Sequence, residues 1–125
     1  MKLREVRDIL EADIIHGEDH LDEDVAFAGG SDLMSDALAF GQPGLLMLTG
    51  LTNSQSVRTA DIIEAKAIVY VRGKKPDEAS VALARRKGIP LLSTRHMMYT
   101  TCGLLFNRGL PGVGAAGSRN REKSG

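Results

Sequence analysis

The stretch "AIVYVRGKKPDE", residues 67–78, ends an apolar run in Arg72, Gly73, Lys74 and Lys75 and opens a new element at Pro76 and Asp77. Cations beside a glycine that permits a tight turn, followed by the positive end of a helix, are the materials of an anion site. Two other turns carry matching residues. Thr49 and Gly50 close "LLMLTG", with Asn53 just beyond, and Ser93, Thr94 and Arg95 close "PLLST". In an open α/β sheet, ligands sit outside the carboxyl ends of parallel strands, where helix amino termini point free N–H groups. Thr49, Gly50, Asn53, Arg72, Gly73, Lys74, Lys75, Ser93, Thr94 and Arg95 are therefore the candidate ligand-binding residues, and phosphate or nucleotide is the ligand class they suit.

The remaining reactive residues fit no reaction template. In a phosphate-binding P-loop, Gly73 and Lys74 would supply the GK, but Ile68 stands where the first glycine is needed and Lys75 where Ser or Thr is needed. Gly112, Gly114 and Gly117 spell G-x-G-x-x-G, yet they follow a helix rather than a strand, so a dinucleotide turn is not expected. His16 and His20 in "HGEDH" lack the glutamate that a zinc-binding helix carries directly after its first histidine. His96 has no acid or nucleophile beside it, and Asp32 and Asp36 in "SDLMSD" read first as helix-start acids. No catalytic residue, metal site or cofactor is expected.

Positioning these turns requires strands alternating with helices. Leu3, Val6, Ile9 and Leu10 predict a helix over 2–11, and "ADIIHG" a short strand. Val25 to Ala28 form a second apolar stretch before a helix capped by Ser31 or Asp32. Then "GLLMLTG" predicts a strand and "SQSVRTADIIEA" a helix capped by Ser54 or Ser56. "AIVYVRG", "PDEASVALARRKG", "IPLLST" and "RHMMYTTCGLLFNRG" continue as strand, helix, strand and helix. The fold class is α/β, a mainly parallel sheet with helices packed on both faces. Pro76 is expected in the first helical turn, with Ala79, Ala82 and Leu83 as the buried stripe behind it. Met98, Cys102 and Leu105 are expected to face the core, which makes Cys102 a small core residue. Residues 1–109 form the domain, and 110–125 read as a flexible tail.

Bulk composition narrows the function classes. A chain of 125 residues supports one core. With 4% aromatic residues and no Trp it lacks stacking platforms for nucleic acid. No apolar run reaches the ~18 residues of a membrane span, and one cysteine excludes an intrachain disulfide, so a cytoplasmic location is expected. The net charge of zero conceals a split. Residues 1–36 hold 3 basic and 11 acidic side chains, a balance of −8, and the remainder holds 13 and 5, a balance of +8. Such a split marks an anion site, or complementarity within a fold or dimer.

"SDLMSDALA", "LLMLTGLTN", "AIVYVRGKKPDE" and "ARRKGIPLLST" together resemble the DRTGG domain family, and more distantly the amino-terminal domain of HPr kinase/phosphorylase. The resemblance covers residues 1 to about 109 and implies a compact α/β domain without catalytic activity. It implies a regulatory or dimerising role, since such domains are fused to CBS pairs in regulated pyrophosphatases. Val71, Arg72 and Gly73 stand where many members carry Thr-Gly-Gly. The chain is thus similar to the freestanding branch: a regulatory homodimer binding an adenine nucleotide or other phosphorylated metabolite. The alternative is an adaptor that docks on a larger metabolic or redox enzyme or signalling protein without a small-molecule ligand.

Overall fold

The structure, a computed structural model, describes residues 1–113. Helix α1 (Leu3–Leu10) leads into strand β1 (Asp13–His16), and after a single 3-10 turn come β2 (Phe27–Gly30) and α2 (Met34–Phe40). The alternation then continues through β3 (Leu45–Thr49), α3 (Ser54–Ile62), β4 (Ala67–Tyr70), α4 (Glu78–Lys87), β5 (Leu91–Ser93) and α5 (Met98–Asn107). The strands form one sheet in the order β1-β5-β4-β3-β2. β2, β3, β4 and β5 run parallel, and β1 pairs antiparallel with β5.

Each crossover among the parallel strands moves one place in the same direction, so right-handed connections put α2, α3 and α4 on one face. There Met34, Ala37, Val57, Ala60 and Ala84 close over Leu45, Met47, Ile68, Tyr70 and Leu91. α1 and α5 cover the other face, where Leu3, Val6, Leu10 and Leu105 meet Leu46, Leu48, Val69 and Leu92. Alternate β3 residues thus feed the two cores, as the two-residue strand period dictates. A strand buried on both faces reads as an unbroken apolar run, which is why "LLMLT" is so legible.

Local details depart from expectation. Asn53 caps α3 by accepting the Gln55 N–H at 3.0 Å, so Ser54 and Ser56 lie inside the helix. α2 starts after Leu33, while Ser31 accepts the Leu33 N–H at 2.9 Å in a turn and Asp32 binds elsewhere. α4 is capped by Asp77, leaving Pro76 just outside the helix. Its inner face is Ser80, Val81, Leu83 and Ala84, with Ala79 exposed. In α5 the fully buried positions are Thr101 and Leu105, and Cys102 is exposed rather than in the core. α5 carries no charged residue on any face, so its periodicity could not choose the buried face, and packing on β2 and α1 chose it.

Residues 110–113 lie against the domain. Leu110 is buried, Pro111 accepts the Ala28 N–H at 2.9 Å, and the Val113 N–H donates to Ala28 at 2.8 Å. They line the outer edge of β2, shielding backbone groups that would otherwise recruit another strand. The rest of the expected tail, 114–125, lies outside the described residues. Among the described residues, no helix is long and apolar enough to cross a membrane.

Candidate functional site

At the end of β4 the chain makes a tight turn. Arg72 and Gly73 both have positive φ, 64° and 70°, and the Lys74 N–H donates to the Val71 carbonyl at 3.2 Å. These are the marks of a type I′ turn, in which glycine or asparagine is usual at both central positions. Arginine at the first of them costs about 1–2 kcal/mol of backbone strain. The turn is locked from β5's side: the Arg72 N–H donates to the His96 carbonyl and the Gly73 N–H to that of Thr94, both at 2.8 Å. The backbone N–H groups of Arg72, Gly73 and Lys74, the natural cradle for a phosphate, are therefore all bound within the protein. Any anion here must meet side chains.

Those side chains divide into two groups. In the first, Asp32 accepts the Gly50 N–H at 2.6 Å and lies 3.7 Å from the Arg72 guanidinium. A Cβ on Gly50 would stand 3.0 Å from Arg72 Cζ and 3.1 Å from Asp32 Oδ1, so glycine makes room for this pair. Arg72 is thus partnered by the "SDLMSD" segment, which reads in the sequence as helix-start acids.

In the second group, Glu11, Asp13, Gly73, Lys75, Ser93, Thr94 and Arg95 line a cavity of about 470 Å³. Its position follows from topology. The parallel strands advance in one direction without reversal, so there is no switch-point crevice between them. The sheet changes direction only where β1 runs back along β5, pairing Asp13 with Ser93 and bringing an acid to the strand-end edge. Lys75 Nζ lies 3.3 Å from Asp13, and His96 Nε2 lies 3.8 Å from Glu11. The Ser93 hydroxyl donates to the Lys74 carbonyl at 2.6 Å, and the buried Thr94 hydroxyl donates to Leu10 at 2.8 Å, closing the end of α1. Both hydroxyls retain only acceptor capacity toward a ligand. Lys75 is held by Asp13, whereas Arg95 at the cavity and exposed Lys74 beside it have no ion-pair partner among the described residues.

Two expected site residues serve the scaffold instead. Thr49 is buried and accepts the Leu51 N–H at 3.1 Å, and Asn53 caps α3. The positive end of α4 is filled by its own Asp77, which accepts the Ser80 N–H at 2.8 Å and the Ser80 hydroxyl at 2.6 Å. Those bonds, the hydroxyl's foremost, hold the Asp77 carboxyl below its ordinary range. Glu11, Asp13 and Asp32 are the site residues that sequence reading missed as partners, and the signal for them was the charge split. Lys66–Glu23, Arg72–Asp32, Lys75–Asp13 and His96–Glu11 all join the acidic first 36 residues to the basic remainder. Burial and then the Arg85 charge lower the His16 pKa, whereas His20 Nδ1 lies 2.6 Å from Glu23. Among the described residues no three His, Cys, Asp or Glu side chains converge as metal ligands.

No protein-family model matches the sequence, and no curated protein matches it. Among solved structures, the chain is similar to the CBS and DRTGG domains of the regulatory region of Clostridium perfringens pyrophosphatase, complexed with the activator diadenosine tetraphosphate. The TM-score is 0.64 at 15% identity, over 88% of this chain and 47% of that one, so this chain spans about half the length of its neighbour. The likeness is one of fold, and the five-stranded, mainly parallel α/β sheet with helices on both faces is related to that regulatory region.

Proposed function

We propose that this chain is a DRTGG-like regulatory domain, a homodimer without catalytic activity, that binds an anionic metabolite at the β5–β1 end of the sheet. The observation that carries the reading is the cavity lined by Lys75 and Arg95 together with Gly73, Ser93 and Thr94, with the carboxylates of Glu11 and Asp13 beside them. No aromatic ring lines it, so it suits the phosphate part of a ligand rather than a base. Asp13 tempers Lys75 through an exposed pair worth about 0–1 kcal/mol, which a phosphate can displace. The similarity to the regulatory region of a nucleotide-activated pyrophosphatase supports a nucleotide or related phosphorylated metabolite as the ligand.

Calorimetry with inorganic phosphate, ATP and a diadenosine polyphosphate tests this. Binding that Lys75→Ala with Arg95→Ala abolishes, and that weakens with salt, is the expected result. No heat and no thermal shift with any of the three would overturn it. The adaptor reading rests on acidic and basic docking faces, and three ion pairs, Lys66–Glu23, Arg72–Asp32 and Lys75–Asp13, join the two halves within the fold.

A further inference from the structure

The outer face of α5 has no role in either core or in the strand-end cavity. From Met97 to Asn107 the chain carries no Asp, Glu, Lys or Arg, in a protein 26% charged. Tyr99 is 89% exposed and Phe106 69%, and Cys102 and Gly103 lie exposed between them. These four recur at i, i+3, i+4 and i+7, so they form one stripe along the helix. Beside it lies a largely apolar cavity of about 660 Å³, reaching from Tyr99 and Phe106 to Gly30 and Pro111.

The order of the stripe is aromatic, small, small, aromatic, and it reads the same in either direction. We infer that this face is the homodimer contact: α5 packs antiparallel on α5 of a second copy about a two-fold axis between Cys102 and Gly103. Tyr99 then lies over the partner copy's Phe106 at both ends, while the small residues let the helices approach near the axis. A residue at such an axis meets its own copy, so any charge there would face a like charge, and this helix has none. Gly103 fits the same account. A glycine inside a helix weakens it, and a Cβ there would meet no atom within 4 Å, so nothing among the described residues requires it. From their exposure, the two aromatics supply roughly 300 Å² per copy toward the ~800 Å² per partner of an ordinary stable interface. The rest of the contact would come from the other exposed residues along the cavity, among them Thr100, Asn107, Pro111 and Gly112.

This assignment rests on the homodimeric part of the reading above, and sedimentation equilibrium of the full chain tests both separately. The expected result is a dimer that Gly103→Arg converts to monomer with an unchanged folded circular-dichroism spectrum; Tyr99→Glu does the same. Treatment of the wild type with the thiol oxidant diamide then yields a disulfide-linked dimer through Cys102, lost in Gly103→Arg. A dimer as tight in both variants as in the wild type overturns the face and leaves the homodimer standing. A monomeric wild type overturns both, and protection of Cys102 from a thiol reagent in that monomer would assign the cover to the chain's own residues after Val113.

Discussion

Tyr70 ends β4 directly before the Arg72–Gly73 turn. It is fully buried, with its hydroxyl 2.9 Å from Ser56 Oγ, which in turn donates to the Asn53 carbonyl at 2.8 Å. This run of hydrogen bonds ties the strand end to the start of α3. Burial outweighs the Ser56 bond and pushes the phenol from 10.0 up to about 12. Because the folded value lies above the unfolded one, the stabilisation is complete below pH 10.0 and is lost as pH rises toward about 12. A shift of two units corresponds to about 2.7 kcal/mol in full, and to about 1.4 kcal/mol by about pH 11. Tyr70→Phe at neutral pH should cost about 1 kcal/mol for the lost hydrogen bond, since Ser56 keeps its bond to Asn53. The assay is urea unfolding near pH 8 and pH 11, in a Tyr99→Phe background that leaves Tyr70 as the sole phenol. The protein that keeps Tyr70 should lose about 1.4 kcal/mol more over that interval than the Tyr70→Phe variant, and its phenolate absorbance should rise only on unfolding or above about pH 11. Equal losses in the two proteins would refute the argument that burial controls this phenol.

Three further outcomes follow from particular residues. Gly17 has φ 100°, and a Cβ there would lie 2.8 Å from the Pro90 Cα, so Gly17→Ala should destabilise by about 2 kcal/mol or more in urea unfolding. At the β4 turn, Arg72→Gly should be about 1 kcal/mol more stable than Arg72→Ala, because alanine keeps the positive-φ strain that glycine removes. Asp13→Asn removes the carboxylate facing Lys75 and should tighten phosphate binding up to about fivefold by calorimetry, the equivalent of an exposed pair.

The alternation of strands and helices was readable because it is written locally. Buried parallel strands such as "LLMLT" and "AIVY" are continuous apolar runs, and Gly88 ends α4 at φ 70°, a conformation glycine adopts without strain. The strand-end edge was readable for the same reason: polar turns must follow such strands. Three features depended on contacts between residues far apart in the chain. β1 docks antiparallel on β5 and carries Asp13 to Ser93, a pairing no local pattern encodes. The −8 and +8 halves announced complementarity, but only the fold decided that Arg72 meets Asp32 and Lys75 meets Asp13. Cys102 is exposed because a helix with no charged residue on any side takes its buried face from its neighbours and not from its own period. Sequence thus determined which segments form strands, helices and turns, since those choices rest on steric and hydrogen-bonding preferences within a few residues. The tertiary structure decided which charges cancel, which remain open to a ligand and which apolar face is left uncovered, because each depends on distances set only once the sheet is assembled.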